Sequence, residues 1–146
     1  MDNKYDCLLL KNQICFPTYA VANKIIRRYQ PLLKELDLTY TQYIVMMVMW
    51  EKEVVNEKDL VNALYLQANT LNPLLKKLEA KGYISISKDE TDKRNLKISL
   101  TNEGRLLKDK AVDVPKSLAK EINLTEEEII FFYKILYKIL NGTKED

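Results

Sequence analysis

At 146 residues, 47% of them hydrophobic and 30% charged, the chain is long enough for one domain with a core of ordinary size. Three glycines, four prolines and two cysteines exclude collagen-like, disordered and disulfide-stapled classes and favour long helices. A formal charge of +2 is too small to announce a nucleic-acid partner by itself, and two cysteines with no histidine cannot build a tetrahedral zinc site, so neither metal nor cofactor is expected.

No basic, apolar and small-residue leader opens the chain, and its longest apolar run, Tyr43 to Trp50, falls far short of the ~20 residues a membrane span needs. A cytoplasmic protein with reduced thiols and no membrane contact is expected. After a polar start and apolar Leu8 to Leu10, a helical pattern runs from about Phe16 to Leu36, with Pro17 suited to its first turn. Thr39 and Gln42 form a capping-box signature, so a second helix is predicted from Tyr40 to about Lys52, buried on most sides. Asn56 caps a short third helix bearing Leu60, Val61 and Leu64. A turn over Tyr65 to Ala68 leads into a fourth helix from Asn69 to Lys81, stopped by Gly82. Two short helices joined by a tight turn are a helix-turn-helix. Leu71, Leu74, Leu75 and Leu78 share one face of the fourth helix, so Asn69, Pro73, Lys76 and Ala80 point outward, flanked by Thr70, Asn72 and Lys77.

From Gly82 to Thr101 the apolar residues alternate on both sides of a charged seven-residue tip, which predicts a β-hairpin with strands near Ile84 to Ser87 and Leu96 to Leu100. Thr101 then caps a fifth helix to about Val114, ended by Pro115. Thr125 and Glu128 give a second capping box, opening a last helix with a wide apolar stripe. The terminal helices carry more apolar surface than a small core needs, which a symmetric dimer would bury. The expected fold is mainly α with a small β-hairpin wing: one domain over 1–146, its helix-turn-helix and wing at about 53–101, its dimerisation helices at 1–38 and 102–146.

If the fourth helix enters a major groove, Asn69, Thr70 and Asn72 reach base edges or phosphates, and Lys76 and Lys77 neutralise the backbone. Arg94 at the hairpin tip, beside Lys93, suits a narrow minor groove, with Asp92 aiming it. Taken singly, the lysines are an ordinary solvated face and Asp92 with Arg94 a surface ion pair. Their succession on helix-turn-helix and wing favours DNA. Cys15 sits at the N-terminal edge of the first helix, where unpaired amides and the helix dipole favour a thiolate, the form that attacks peroxides. By residue type alone it is equally a small buried hydrophobe.

The wing pattern of Asp92, Arg94, Leu100 and Thr101, with the stretch from Leu71 to Ile84, resembles the MarR family of dimeric winged-helix repressors. The resemblance implies no enzyme but a homodimer gripping a pseudo-palindromic operator in double-stranded DNA. At a finer level, Cys15, Tyr29 and Tyr40 are similar to the organic-hydroperoxide sensor branch, in which two tyrosines of the partner subunit hydrogen-bond the reactive cysteine. Cys15 and Tyr29 are fourteen residues apart on one predicted helix, about 21 Å, so they cannot meet within one chain. Tyr19, one turn after Cys15, is a further candidate for the pocket. Residues 101–146 contain no cysteine, which implies the one-cysteine type, completed by a low-molecular-weight thiol in a mixed disulfide. Cys7 is then a bystander or a local resolving thiol, and Ala68 replaces a serine common in related sensors. The expected function is a repressor that senses organic hydroperoxide through Cys15 and releases its operator. The alternative is control by a small aromatic or phenolic ligand, with Cys15 incidental.

Overall fold

The computed structural model describes residues 3–142, so the outermost positions of the expected dimerisation segments, Met1 with Asp2 and Thr143 to Asp146, lie outside the described residues. The chain divides into two compact units, the first ending at Val114 and the second beginning at Pro115.

In the first unit, two short 3-10 turns (Asp6–Leu8 and Leu10–Asn12) precede α1 (Cys15–Lys34) and α2 (Tyr40–Lys52). Pro17 sits in the first turn of α1, where its missing N–H costs nothing, and the helix runs on through Pro31. The capping box that opens α2 is complete: Gln42 N–H donates to Thr39 Oγ1 at 3.2 Å and Thr39 N–H to Gln42 Oε1 at 3.1 Å. Tyr43, Val45, Met46, Met49 and Trp50 of α2 are all buried, which makes α2 the axis of the core. Around it pack Leu33 and Leu36 from the end of α1, Leu60 of α3 (Glu57–Leu64), and Leu71, Leu75 and Leu78 of α4 (Ala68–Ala80). Each leucine so buried contributes about 1.5–3 kcal/mol relative to exposure.

The hairpin is β2 (Ile84–Lys88) and β3 (Leu96–Leu100), with Lys88 opposite Leu96 as its last pair and a loop over Asp89–Asn95. A third strand, β1 (Val54–Asn56), was not expected. It pairs antiparallel with β3, giving the order β1-β3-β2 and setting buried Val55 opposite buried Ile98. Three residues are too few to show a two-residue period. The outer edge of β2 is covered in part by Glu79 of α4, whose carboxylate accepts the Ile86 N–H at 2.7 Å.

The expected fifth helix ends earlier than its sequence suggested. Thr101 caps α5 (Asn102–Ala111), and after a turn at Val112 a new helix, α6 (Asp113–Glu121), begins with Pro115 in its first turn. Proline is as much at home there as after a helix end, which is why Pro115 was read as a stop. In the second unit, α7 (Glu126–Gly142) follows a capping box in which Thr125 N–H donates to Glu128 Oε2 at 2.8 Å and Glu128 N–H to Thr125 Oγ1 at 3.2 Å. None of its described residues is buried. Among the described residues no helix is long and apolar enough to cross a membrane.

Candidate functional site

The first cluster is built on α3 and α4. Asn56 starts α3 by accepting the Asp59 N–H at 2.8 Å, and Tyr65 closes it in the left-handed conformation, φ 53°. The chain then enters α4, whose apolar face is fixed by Leu71, Leu75 and Leu78. As the spacing predicts, Asn69, Thr70, Pro73, Lys76 and Lys77 are exposed, and Asn72 is half-buried. Pro73 has no N–H for the Asn69 carbonyl one turn earlier, which leaves an acceptor on this polar face. Gly82, at φ 81°, ends the helix: Gly82 N–H reaches Glu79 O at 2.9 Å and Tyr83 N–H reaches Leu78 O at 3.1 Å, the paired bonds of a Schellman motif.

The hairpin loop is ordered by two aspartates. Asp89 accepts the Thr91 N–H at 3.0 Å and its hydroxyl at 2.8 Å, and these bonds hold its carboxyl below the usual range. Asp92 accepts the Arg94 N–H at 3.0 Å, while its own carbonyl takes the Asn95 N–H at 3.0 Å. Asp92 thus fixes the main chain at Arg94, and no ion pair between the two side chains is needed for it. Lys93 and Arg94 are exposed at the tip. Asp89, Thr91 and Asn95 were missed, although an aspartate two residues before its amide donor is the signature of an Asx turn.

The second cluster lies on α1 and α2. Cys15 is the first residue of α1 and is exposed, as is Cys7, so Cys15 is no core hydrophobe within the chain. Tyr19 is 67% exposed. At the other end of the unbroken helix, Tyr29 meets Tyr40 with ring centroids 5.0 Å apart. The structure therefore joins two of the predicted sensing residues and leaves Cys15 and Tyr19 far from them. Buried Tyr43 completes the cluster, 5.7 Å from Tyr29 and 6.4 Å from Tyr40. It belongs to the core and lies one turn from Tyr40 on α2. Burial pushes the Tyr29 phenol up to about 12, helped by Tyr40 and Tyr43, and raises Tyr40 and Tyr43 also. At neutral pH these phenols remain O–H donors.

Beside the tyrosines, Ile26, Gln30, Lys34, Leu38 and Tyr40 line an open cleft of about 720 Å³, together with Lys77 and Ala80 of α4 and Lys81 just after it. Lys81 crosses to the corner between α1 and α2, donating to the main-chain carbonyl of Asp37, pairing with its carboxylate at 3.4 Å and reaching Gln42 Oε1 at 3.4 Å. The sequence marks Gln42 only as the partner of Thr39 in a capping box, and Lys81 only as the end of the fourth helix.

A family model for the SarA/Rot transcriptional regulators matches residues 27–111. The organic hydroperoxide resistance transcriptional regulator of Bacillus subtilis strain 168 is 39% identical over 140 residues, 96% of this chain and 95% of its own. The HTH-type transcriptional regulator SarZ of Staphylococcus epidermidis is 42% identical over 128 residues, 88% of this chain and 84% of its own. Among solved structures, reduced AbfR bound to DNA superimposes with a TM-score of 0.79 at 30% identity, covering 96% of this chain and 98% of that one. AbfR is also solved with a disulfide formed, at a TM-score of 0.67.

Proposed function

Because the chain belongs to the SarA/Rot family of MarR-type winged-helix transcriptional regulators, we propose that it is a homodimeric DNA-binding repressor that organic hydroperoxide switches off through Cys15. It regulates transcription and its relatives are not enzymes. In this reading α4 is the recognition helix, with Asn69, Thr70 and Asn72 toward the bases and Lys76 and Lys77 on phosphates, while Lys93 and Arg94 of the wing enter the adjacent minor groove. Two copies set their recognition helices about one DNA turn, ~34 Å, apart on a pseudo-palindromic operator.

The observation that carries the sensing step is the layout of α1. An exposed thiol stands at its first residue, and two protonated phenols stand about 21 Å away at its other end. An antiparallel partner helix brings one protomer's Cys15 to the Tyr29 and Tyr40 of the other, where their O–H groups hydrogen-bond the sulfur. The thiolate attacks the terminal peroxide oxygen and the O–O bond breaks; sulfur becomes a sulfenic acid, and the departing alkoxide takes from water the proton that the thiol had released, leaving as the alcohol. A low-molecular-weight thiol then condenses with the sulfenic acid, releasing water and leaving a mixed disulfide. The added bulk displaces the tyrosines, and a bias of a few kcal/mol between two dimer arrangements is enough to empty the operator. Changing Cys15→Ser is expected to leave operator affinity unaltered while abolishing release by cumene hydroperoxide in a gel-shift assay; release that persists in the variant rules the reading out.

The cavity supports a second reading. Its size suits a small aromatic ligand, and Lys34, Lys77 and Lys81 on its walls suit a phenolic acid. Release of DNA by such a compound from the Cys15→Ser protein selects it.

A further inference from the structure

Lys81 is the last residue before the glycine that ends α4, and its ammonium leaves the helix altogether. Its three donors meet three acceptors on the α1–α2 corner: the Asp37 carbonyl, the Asp37 carboxylate at 3.4 Å and Gln42 Oε1 at 3.4 Å. Gln42 is only 3% exposed, and the same oxygen accepts the Thr39 N–H that starts α2. The cap of α2 and the end of α4 therefore share one acceptor. Tyr40 and Tyr43 flank Gln42 on that first turn of α2, and Tyr29 rests on both rings. A displacement of the tyrosines moves the turn that carries Gln42. Asp37, Thr39, Tyr40 and Gln42 of the corner line the cleft beside it.

We propose that Lys81 is the positioning residue that couples the tyrosine cluster to the recognition helix. The proposal rests on the reading of Cys15 as the switch, and adds the route by which the switch reaches DNA. The far end of α4 carries Asn69, Thr70 and Asn72, so Lys81 has no part in base contact. Its role is to transmit displacement of the corner into the tilt of α4. Without the ammonium, the corner moves and α4 does not follow.

The test uses the full chain with Lys81→Met, which keeps the aliphatic stem, and Lys81→Arg, which keeps the charge and donors. Operator affinity is measured by fluorescence anisotropy at fixed salt, before and after cumene hydroperoxide, with the mass of the Cys15 peptide recorded on each sample. The wild-type protein is expected to weaken by about 5- to 150-fold on oxidation. Lys81→Met should bind like wild type when reduced and weaken by less than about 3-fold when oxidised, with Lys81→Arg restoring the wild-type ratio. A merely structural lysine would shift both affinities together and leave their ratio unchanged, which overturns the proposal. If Lys81→Met does not fold, Asp37→Asn at the exposed corner removes the carboxylate alone and should narrow the ratio in part; an unchanged ratio there overturns it as well. A wild-type protein that keeps its operator with Cys15 oxidised sinks the sensor reading and this coupling with it, and is distinguished from failure of Lys81 alone by the wild-type ratio.

Discussion

Tyr29 holds its phenol proton well above the ordinary tyrosine range. Its phenol is half-buried between Tyr40 and Tyr43, and desolvation, followed by the two neighbouring phenols, pushes it up to about 12. The folded state thus holds the Tyr29 proton more tightly than the unfolded chain, whose tyrosines titrate near 10. The associated stability is fully present below pH 10 and is lost as pH rises toward 12, because the unfolded chain then sheds a proton that the folded one keeps. Tyr29→Phe has no proton to lose, so its melting temperature should fall less than that of wild type between pH 10 and 12, as followed by circular dichroism. Parallel curves for the two proteins would mean that Tyr29 is not buried in this cluster. Below that window Tyr29 keeps its O–H, the donor that the proposed contact with the partner's sulfur uses. Cys15 is exposed in the single chain, and in the proposed dimer the partner supplies its surroundings.

Among the elements, the wing is held by a junction that admits only glycine. A Cβ at Gly104 would stand 2.2 Å from the Tyr83 carbonyl oxygen and 2.7 Å from a Leu100 methyl, so α5 crosses the base of the hairpin in backbone contact. Around it, Thr101 Oγ1 donates to Gly82 O at 2.5 Å, Gly104 N–H donates to Thr101 at 3.1 Å, and Trp50 Nε1 donates to Gly104 O at 2.8 Å. Gly104→Ala should destabilise the fold by about 1–3 kcal/mol in urea unfolding, since backbone cannot yield as a side-chain tip does; an unchanged midpoint would show that the junction is loose. The hairpin, both capping boxes and the outward face of α4 were legible in the sequence because each is written in local spacing: Thr39 with Gln42, Thr125 with Glu128, the alternation through Ile84 and Ile86, and four leucines at helical intervals. What escaped was set by contacts distant in sequence. Val54–Asn56 becomes a strand only because β3 lies beside it, and Pro115 reads as a stop until α6 is seen to start around it. In the site, Tyr29 with Tyr40 was reached through family resemblance, whereas Tyr43 and Lys81 make their contacts around a helix corner that no periodicity marks.

For the whole molecule, the distribution of apolar surface matters most. Ile14, Phe16, Tyr19 and Val21 of the N-terminal region are exposed, as are Ile129, Phe131, Phe132 and Ile139 of α7, far more than a stable monomer leaves to water. A symmetric pair buries such surface, and in the proposed dimer the covered region and the sensing site coincide. This arrangement explains how one α1 can carry the thiol at one end and the phenols at the other: neither protomer senses alone. In that dimer a change at one sulfur acts on two recognition helices at once. The most direct measurement follows operator occupancy and the mass of Cys15 in the same sample, at fixed salt, as organic hydroperoxide is added stepwise. Release is expected to track the fraction of Cys15 converted to the sulfenic acid or mixed disulfide. Release while Cys15 is still a thiol, or full oxidation of Cys15 with the operator still bound, would contradict the assignment of this residue as the switch.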